Sequence, residues 1–458
     1  MTRVLIVGAG PAGIRAAETM VEAGLRPIVV DEGHRAGGQI YRRPPDGFAR
    51  TQETLYGSQA GKARVLHELF DGLVAAGRID YRPRTSVVAL SEEAADCLCD
   101  GRIRRIGYER LIIATGAMDR IMPVSGGERA GVFTIGAVQI MLKAQAVAPG
   151  RRIVLAGTGP LLSLVADQLR RAGAGLAAVL DTAPLTAQIG ALPAMLASRP
   201  GTTLRGLRIR AALGRLYHPG VRVDEIVHEV AGPVAVRWRD ARDRSRTSPC
   251  DAVGIGWHLM AETRLAELAG ARMAWSDPQG QWLPVIDAMG RAGAGLYVAG
   301  DCAHIAGADA AEIGGRLAAS ACLADLGFKA ADPRADLSRL AWLRRFAAAM
   351  AQAFPWPPIE GGEIAGDTVL CRCEGVTAAQ LRDAADVATG DFNRAKSLSR
   401  LGMGRCQGRY CSLAGALVVA ARAGQKPGDV GHLRAQPPVR PVPAAAWLGA
   451  GEEDRPDS

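Results

Sequence analysis

The fold of this chain is decided near its start by the stretch Val4-Leu5-Ile6-Val7-Gly8-Ala9-Gly10-Pro11-Ala12-Gly13. An apolar run typical of a buried strand leads into a glycine turn, and the residues that follow predict a helix to about Ala23. A GxGxxG pattern alone is weak evidence, but between a strand and a helix it has the position of a dinucleotide-binding turn. Gly8 is expected to form the tight turn, Gly10 to let the backbone approach a pyrophosphate, and Gly13 to allow close helix packing. The helix N-terminus would then hold the phosphates.

The next strand ends in two carboxylates that are candidates for binding the adenosine ribose. Asp31 lies eighteen residues after Gly13, where its side chain can accept hydrogen bonds from the ribose hydroxyls, and Glu32 is the second candidate. Together with Pro11 and Ala12 of the turn, these residues recognise only an ADP moiety. FAD, ATP and ADP would all satisfy this first site, and a glycine-rich turn without a ligand is the structural alternative.

Three further stretches follow in the order expected of a flavoprotein with two dinucleotide-binding domains. The pair Gly37-Gly38 predicts a loop that passes close beside the cofactor, because a Cβ there would collide with it. An apolar strand ends in Ala-Thr-Gly at 114–116, which resembles the point where such flavoproteins leave their first domain. Another strand ends in Gly300-Asp301, which resembles the second flavin fingerprint, whose carboxylate contacts the ribityl chain. These resemblances favour FAD and add to the predicted cofactor site the residues Gly38, Gln39, Thr115, Gly116, Gly300 and Asp301.

A second strand-turn-helix unit contains the turn Gly157-Thr158-Gly159-Pro160-Leu161-Leu162. Leu162 occupies the position of the third glycine, where a leucine should push the helix away from the strand. Asp181 closes the next strand, where it would suit an unphosphorylated ribose or lie at the surface as a strand-end carboxylate. The unit is interpreted as an inherited scaffold rather than a working NAD(P) site.

Four of the nine cysteines form two tight pairs near the end of the chain, and thirty-two residues separate the pairs. Four thiolates from two short loops can hold a [2Fe–2S] cluster. Structural zinc is the main alternative, but its cysteine pairs usually leave roughly two to four residues between ligands, so a one-residue spacer fits poorly. Disulfide bonds are the second alternative. The predicted cluster ligands are Cys371, Cys373, Cys406 and Cys411.

Three arginines flank these cysteines, namely Arg372, Arg405 and Arg409. Positive charge beside a cluster should ease its reduction. The alternative is that all three are solvated surface side chains.

Length and composition limit the other classes of function. The 458 residues suffice for two or three domains, and the formal charge is +9 with a pI near 9.3. The positive residues are mostly scattered arginines without a run, which argues against nucleic-acid binding and leaves acidic protein partners or anionic substrates as their use. An odd number of cysteines, no leader peptide and no apolar stretch of membrane-spanning length predict a cytoplasmic protein without disulfide bonds. Disulfide reductases with a similar start carry two redox cysteines soon after Gly38, and this chain has none there.

The C-terminal motifs CRCEGVT at 371–377 and GMGRCQGRYC at 402–411 resemble the bacterioferritin-associated ferredoxin-like domain, a small helical unit that binds one [2Fe–2S] cluster. Thr377 and Gln380 also form a predicted capping box. With the GGQIYR loop at 37–42 and the degenerate second turn, nearly the whole chain resembles the alpha subunit of hetero-oligomeric, dye-linked amino-acid dehydrogenases. That family includes opine oxidases, hydrogen cyanide synthase, and D-hydroxyproline and L-proline dehydrogenases.

The resemblance implies a division of labour between subunits. A beta subunit similar to D-amino-acid oxidase would oxidise the C–N bond, a small ferredoxin-like gamma subunit could add a cluster, and some complexes hold FMN at the alpha–beta junction. The alpha subunit would pass electrons to a quinone, ferredoxin or dye, in the cytoplasm or at the membrane through the complex. It would contain no catalytic residue of its own.

The predicted fold class is α/β, with two Rossmann-like domains and a small α-helical [2Fe–2S] domain. A stiff proline-rich connector after Phe354 should separate the cluster domain from the rest, and the last ten residues should be disordered. The predicted domains are a discontinuous FAD-binding domain at 1–120 and 285–330, an NAD-binding-like domain at 121–284, a linker helix and connector at 331–365, the cluster domain at 366–425, and an extended tail at 426–458.

Two functions of other classes stay open at this point. One is a self-contained NAD(P)H-dependent oxidoreductase that feeds a cluster. The other is a non-enzymatic scaffold whose C-terminal domain binds zinc and docks a partner.

Overall fold

The computed structural model describes residues 2–44, 47, 50–356 and 364–448. The second half of the predicted proline-rich connector and the predicted disordered C-terminus lie outside the described residues. No helix in the described ranges has the length and apolar character that crossing a membrane requires.

The first glycine stretch forms the expected unit, with a buried strand Val4–Val7, a turn, and a helix Pro11–Glu22. Val7 pairs in parallel with Val30 on one side and Ile113 on the other, and Ile113 pairs with Val298. Because the strands are parallel, their carboxyl ends meet at one edge of the sheet. In spatial order the strands are Arg291–Gly293, Leu296–Val298, Arg110–Ile113, Val4–Val7, Ile28–Val30 and Asp80–Arg82.

Helices pack on this sheet through small and aliphatic residues. The Pro11–Glu22 helix lies against Ala308–Asp325, and both contribute alanines to the same buried cluster. An antiparallel sheet covers the other side, and its strands are Thr85–Leu90, Ala94–Cys99 and Arg102–Gly107. The remaining helices of this part are Gln52–Tyr56, Ala60–Ala75 and Arg264–Leu268.

The second glycine stretch starts a second parallel sheet. Its central strand Ile153–Thr158 is buried throughout and precedes the helix Pro160–Arg171. The sheet contains, in spatial order, Tyr217–Pro219, Leu176–Asp181, Ile153–Thr158, Ala252–Trp257 and Val132–Thr134. Its other helices are Ile135–Ile140, Leu185–Ser198 and Pro200–Leu213, and an antiparallel sheet follows with Arg222–Glu229, Gly232–Arg239 and Ser245–Pro249.

Short antiparallel pairs and one long helix join these two domains. The strand Ala117–Asp119 pairs with Leu259–Ala261, and Met273–Ser276 pairs with Gln281–Pro284. The linker helix, expected within 331–365, spans Arg334–Ala353. It packs along the Leu185–Ser198 helix of the second domain.

The C-terminal domain has its own apolar core around Phe392, Leu381 and Leu401. The predicted capping box is present, with the Thr377 hydroxyl accepting from the Gln380 backbone N–H and the Gln380 side chain accepting from the Thr377 N–H. Its elements are Val369–Cys371, Val376–Thr377, Ala378–Ala388, Phe392–Ser399 and Ser412–Ala423. The chain then returns to the first domain, where the Val439 backbone N–H donates to the Val88 carbonyl at 2.9 Å. The predicted α/β class is confirmed.

Candidate dinucleotide and cluster sites

The first glycine turn is closed so tightly that two of its glycines have no replacement. A Cβ on Gly13 would lie 1.7 Å from the Gly8 carbonyl oxygen, and Gly8 itself has a φ of +107°. Pro11 occupies the first turn of the helix, where its missing N–H costs no hydrogen bond. The helix therefore begins directly against the strand, and its free N–H groups face the carboxyl edge of the sheet.

Open space remains beside this turn at the positions where a cofactor is expected. A Cβ on Gly10 would meet only the Gly38 Cα, at 3.7 Å, and a Cβ on Gly116 would meet nothing within 4 Å. Gly300 packs on the turn from the other side, since its Cβ would lie 2.8 Å from the Ala12 Cβ. The turn and the ends of two neighbouring strands thus form a cradle that fits the pyrophosphate of a dinucleotide.

Glycine is required at 37 and 38 for a reason other than the predicted closeness to a cofactor. A Cβ on Gly37 would lie 2.4 Å from the Tyr41 carbonyl oxygen, and a Cβ on Gly38 would lie 2.9 Å from the Gly10 Cα. Contacts with the protein's own backbone therefore exclude a side chain here, whether or not a cofactor is present. The Gln39 side chain is exposed and accepts a hydrogen bond from Arg42 at 2.7 Å.

Asp31 lies at the end of its strand as predicted and is mostly buried. One carboxylate oxygen accepts from the Ala9 N–H at 2.6 Å and the other from the Gly33 N–H at 2.6 Å. Burial raises the pKa of Asp31, and these two backbone donors oppose the rise. Each oxygen retains lone-pair capacity for a ribose hydroxyl. Glu32, in contrast, forms an ion pair with Arg440 of the C-terminal tail, which makes it the weaker ribose candidate.

Thr115 and Asp301, from the two later flavin-type motifs, form hydrogen bonds with backbone groups around the cradle. The Thr115 hydroxyl donates to the Glu262 carbonyl at 2.8 Å. The half-buried Asp301 carboxylate accepts from the Ala306 and Gly307 N–H groups at 3.2 and 3.3 Å, and desolvation raises its pKa. Gly307 caps the helix Ala308–Asp325, so Asp301 shapes the loop that brings this helix N-terminus to the site.

Asp181, which ends the strand after the second turn, is neither a free ribose ligand nor a surface carboxylate. It is fully buried and accepts hydrogen bonds from the Thr158 hydroxyl at 2.7 Å, from the Ala183 N–H at 2.9 Å and from the Tyr217 hydroxyl. Burial raises its pKa. Leu162, in the first turn of the helix Pro160–Arg171, is also fully buried, and its side chain lies in the core.

Side chains from elsewhere in the chain fill the space in front of the second turn. A Cβ on Gly159 would lie 3.0 Å from the ring of His258, whose other nitrogen contacts the Phe354 carbonyl oxygen. The Arg120 guanidinium stacks on the Trp356 ring at 3.4 Å, and burial lowers the pKa of Arg120 to about 9. The segment after the linker helix therefore packs over the second turn, which supports the interpretation of this unit as a scaffold.

The four predicted cluster cysteines come together as two contacting pairs. The thiols of Cys371 and Cys411 form a hydrogen bond, which lowers the pKa of Cys371 to about 6 and raises that of Cys411. The Cys406 thiol forms a hydrogen bond with Cys373, and burial raises its pKa. In the described residues no group of three or more His, Cys, Asp or Glu is arranged around one metal position. All nine cysteines lie in those residues as free thiols, so none forms a disulfide bond.

Flanking glycines let the two cysteine loops approach. A Cβ on Gly404 would lie 2.3 Å from the Cys373 Cβ, so any side chain there would separate the loops. Arg372 and Arg405 are exposed, as the surface alternative expected. Arg409 is different, because its side chain reaches across to the first domain.

Glu262 forms a joint between the cluster loop and the cradle, and no sequence pattern pointed to it. Its carboxylate is buried and accepts from Arg264 at 2.6 and 2.8 Å and from Arg409 at 2.6 and 3.1 Å. Arg264 also donates to the carbonyl of Cys406 at 3.2 Å. The backbone of Glu262 accepts from Thr115 and donates to the Gly116 carbonyl at 3.0 Å. One residue thus links the cradle to the backbone of a predicted cluster ligand.

The charge of Glu262 stabilises this joint over a defined pH range. Burial alone would raise its pKa, but the bonds and charges of Arg264 and Arg409 outweigh burial and hold the pKa at about 2. An unfolded glutamate has a pKa of about 4.3, so the stabilisation is fully present above that pH and is lost as the pH falls toward about 2. The difference corresponds to roughly 3 kcal/mol.

We expect Glu262→Gln to lower the free energy of unfolding by about 3 kcal/mol, since it leaves two buried guanidinium groups without a counter-charge. Urea unfolding at neutral pH measures this loss. Asp386→Asn is the control, because Asp386 pairs with Arg422 in an exposed ion pair that solvent screens, and this variant should unfold at nearly the same urea concentration as the wild type. Equal losses in the two variants would contradict a special role for Glu262.

Comparisons with known proteins agree with this architecture. Residues 2–319 match the pyridine nucleotide-disulphide oxidoreductase family, and residues 366–452 match the sarcosine oxidase A3 domain. The chain is 37% identical to an opine oxidase subunit from Rhizobium meliloti, over 96% of this chain and 86% of the relative. It is 31% identical to the hydrogen cyanide synthase subunit HcnB of Pseudomonas aeruginosa, over 98% and 99%.

A solved structure shares the fold over nearly the whole chain. The L-proline dehydrogenase from P. horikoshii superposes with a TM-score of 0.72 at 21% identity, covering 97% of this chain and 80% of that one. The predicted family resemblance is confirmed: this chain is an oxidoreductase and belongs with these opine oxidase and hydrogen cyanide synthase subunits to one family, built on the pyridine nucleotide-disulphide oxidoreductase fold.

Proposed function

We propose that this chain is the electron-transfer subunit of a hetero-oligomeric dehydrogenase that oxidises a C–N bond in an amino acid, imino acid or opine. It would receive electrons from a catalytic partner similar to D-amino-acid oxidase, assisted by a ferredoxin-like third subunit, and pass them to a quinone, ferredoxin or dye. The relatives are named as subunits of opine oxidase and hydrogen cyanide synthase, which supports a multi-subunit enzyme.

The observation that carries the proposal is the joint at Glu262. It fixes the cluster loop beside the cradle through Arg409 and through the carbonyl of Cys406. A domain that only docked a partner would need no fixed position relative to the cofactor edge, whereas Glu262, Arg264 and Arg409 hold the cluster loop against that edge. Fixed placement of two redox sites is what electron transfer requires of a protein.

FAD fits the first site. The turn from Gly8 to Gly13 and the helix N-terminus would hold its pyrophosphate, Asp31 its ribose, and the loop shaped by Asp301 its ribityl chain. When bound, FAD supplies two-electron chemistry that can continue in single-electron steps. The matched family supports FAD over ATP or ADP.

A [2Fe–2S] cluster fits the cysteines better than zinc does. Zinc-binding cysteine pairs usually leave roughly two to four residues between ligands, whereas Cys371 and Cys373 leave one, and two short cysteine loops can supply the four thiolates of a [2Fe–2S] cluster. Iron with acid-labile sulfide in the purified protein would exclude the zinc scaffold. The buried Asp181 and the filled space at Gly159 argue against NAD(P)H as the electron source, so a partner subunit is the better source.

The proposal is tested on the complex isolated from its native host. An amino acid or opine that supports dye reduction should reduce the cluster during turnover, so an EPR signal of the reduced cluster should develop when substrate is added without a dye. An oxidised cluster in a complex that reduces dye at full rate would overturn the relay. Mass spectrometry of the denatured complex identifies the nucleotide, and an adenine nucleotide without flavin would overturn the FAD assignment.

A further inference from the structure

The helix Leu185–Ser198 has an unusual surface for a soluble protein. It contains no charged residue over its length, yet Ala191 is its one fully buried residue among those the structure describes. Helices that are apolar on most sides are normally enclosed. The linker helix Arg334–Ala353 packs along this helix and leaves Leu192 and Leu196 half-buried, so a further covering surface would lie over the side that stays exposed, at Leu185 and Ile189.

The apolar residues of this helix form a regular stripe. Leu185, Ile189, Leu192 and Leu196 follow each other at spacings of four, three and four residues, the pattern of a helix–helix contact seam. Leu185 is 45% exposed and Ile189 is 60% exposed. The next helix along the chain, Pro200–Leu213, adds Leu204 and Leu207, both more than 40% exposed. We call these two helices the apolar hairpin.

The linker helix extends this surface on the other side. Trp342 is 40% exposed, and its indole N–H donates to the Ser198 carbonyl at the end of the apolar hairpin's first helix. Exposed tryptophan next to a leucine stripe is typical of the centre of protein–protein interfaces.

The charge around the apolar hairpin indicates what kind of partner would bind there. No aspartate or glutamate occurs between Thr182 and Val223, whereas six arginines do. Arg208 and Arg215 are exposed, and neither has a carboxylate partner among the described residues. The face therefore combines an apolar stripe with uncompensated positive charge at its border.

We infer that the apolar hairpin is the docking surface for another polypeptide of the complex, whose contact face is apolar and bordered by carboxylates. This inference rests on the proposed role as one subunit of a hetero-oligomer. A lipid surface is the less suitable occupant, because helices that lie in a membrane interface carry basic residues on their own polar face. Pro200–Leu213 does so, but Leu185–Ser198, which carries the longer apolar stripe, has none.

The test compares tagged chains purified from the native host by size-exclusion chromatography with light scattering. The wild type should elute in a stoichiometric complex with a second polypeptide. Ile189→Glu places a charge in the seam and should weaken that complex by about tenfold or more, measured by titrating the separated subunits. Val230→Glu is the control, because Val230 is fully exposed on a strand turn outside the hairpin, and the complex should persist. Arg208→Glu should weaken the complex most at low salt.

Each other outcome overturns a different part of the proposal. A wild-type chain without a second polypeptide overturns the subunit role and this surface together. A complex that survives Ile189→Glu leaves the subunit role intact and overturns the surface. A homodimer broken by Ile189→Glu, or binding to anionic vesicles lost in that variant, assigns the surface to another occupant and overturns the partner proposed for it.

Discussion

Replacing Cys411 with serine should remove nearly all iron and acid-labile sulfide from the purified chain. Cys411 is almost fully buried, and its thiol contacts that of Cys371. The thiols of Cys373 and Cys406 also lie close enough to raise the pKa of Cys411. A serine hydroxyl is a poor ligand for iron that thiolates otherwise hold, and the three remaining cysteines cannot complete the set. Iron and sulfide analysis, together with EPR after dithionite reduction, measures the loss.

The helix that begins at Cys411 should tolerate this substitution. Cys411 is the cap residue of the helix Ser412–Ala423, and serine is a favoured residue at such a position. Cys99→Ser is the matched control, since Cys99 lies in a strand of the first domain and should leave iron and sulfide unchanged. Loss of iron in both variants would show that the chain loses its cluster through general instability. If the wild type contained zinc and no sulfide, these cysteines would hold no iron–sulfur cluster, and the prediction would fail.

The sequence predicts local features of these sites well because they depend on neighbouring residues. The turn between Gly8 and Gly13 and the capping box at Thr377 involve groups within five residues of each other, where spacing determines which groups can meet. The two cysteines of each sequence motif are also neighbours along the chain, although the contacts of Cys371 with Cys411 and of Cys373 with Cys406 join the two loops. Such features can be recognised without knowing how distant segments pack.

Features that depend on distant segments were missed or misjudged. Asp181 has the strand-end position of a ribose ligand, but its burial is set by Tyr217, thirty-six residues later. Glu262 and Arg409 are 147 residues apart, and neither has a local pattern that announces the other. The sequence predicts that Gly37-Gly38 passes close to a cofactor, but the groups that exclude a side chain there in the structure are the backbone atoms of Tyr41 and Gly10. Burial and pairing of charges are properties of the packed molecule.

The first glycine turn allows an equally sharp test of the nucleotide site. Gly13→Ala should reduce bound flavin to less than about a tenth of the wild-type content. A Cβ at this position would lie 1.7 Å from the Gly8 carbonyl oxygen, and backbone atoms cannot move aside as a flexible side chain can. The helix must shift away from the strand, which withdraws its N–H groups from the pyrophosphate and costs about 1–3 kcal/mol of stability. Absorbance of released flavin per protein, after denaturation, measures the content.

Gly72→Ala is the matched control for that substitution. Gly72 lies within the helix Ala60–Ala75, and a Cβ there would meet nothing within 4 Å, so alanine should raise helix stability by up to about 1 kcal/mol and leave flavin content unchanged. The contrast separates the contact at Gly8 from any general effect of alanine in a helix. Full flavin content in Gly13→Ala would mean that the cofactor does not depend on this turn, and the cradle between Gly10 and Gly116 would lose its assignment. Loss of flavin while iron and acid-labile sulfide stay at the wild-type level would show that the substitution acts at the turn and leaves the predicted cluster site intact.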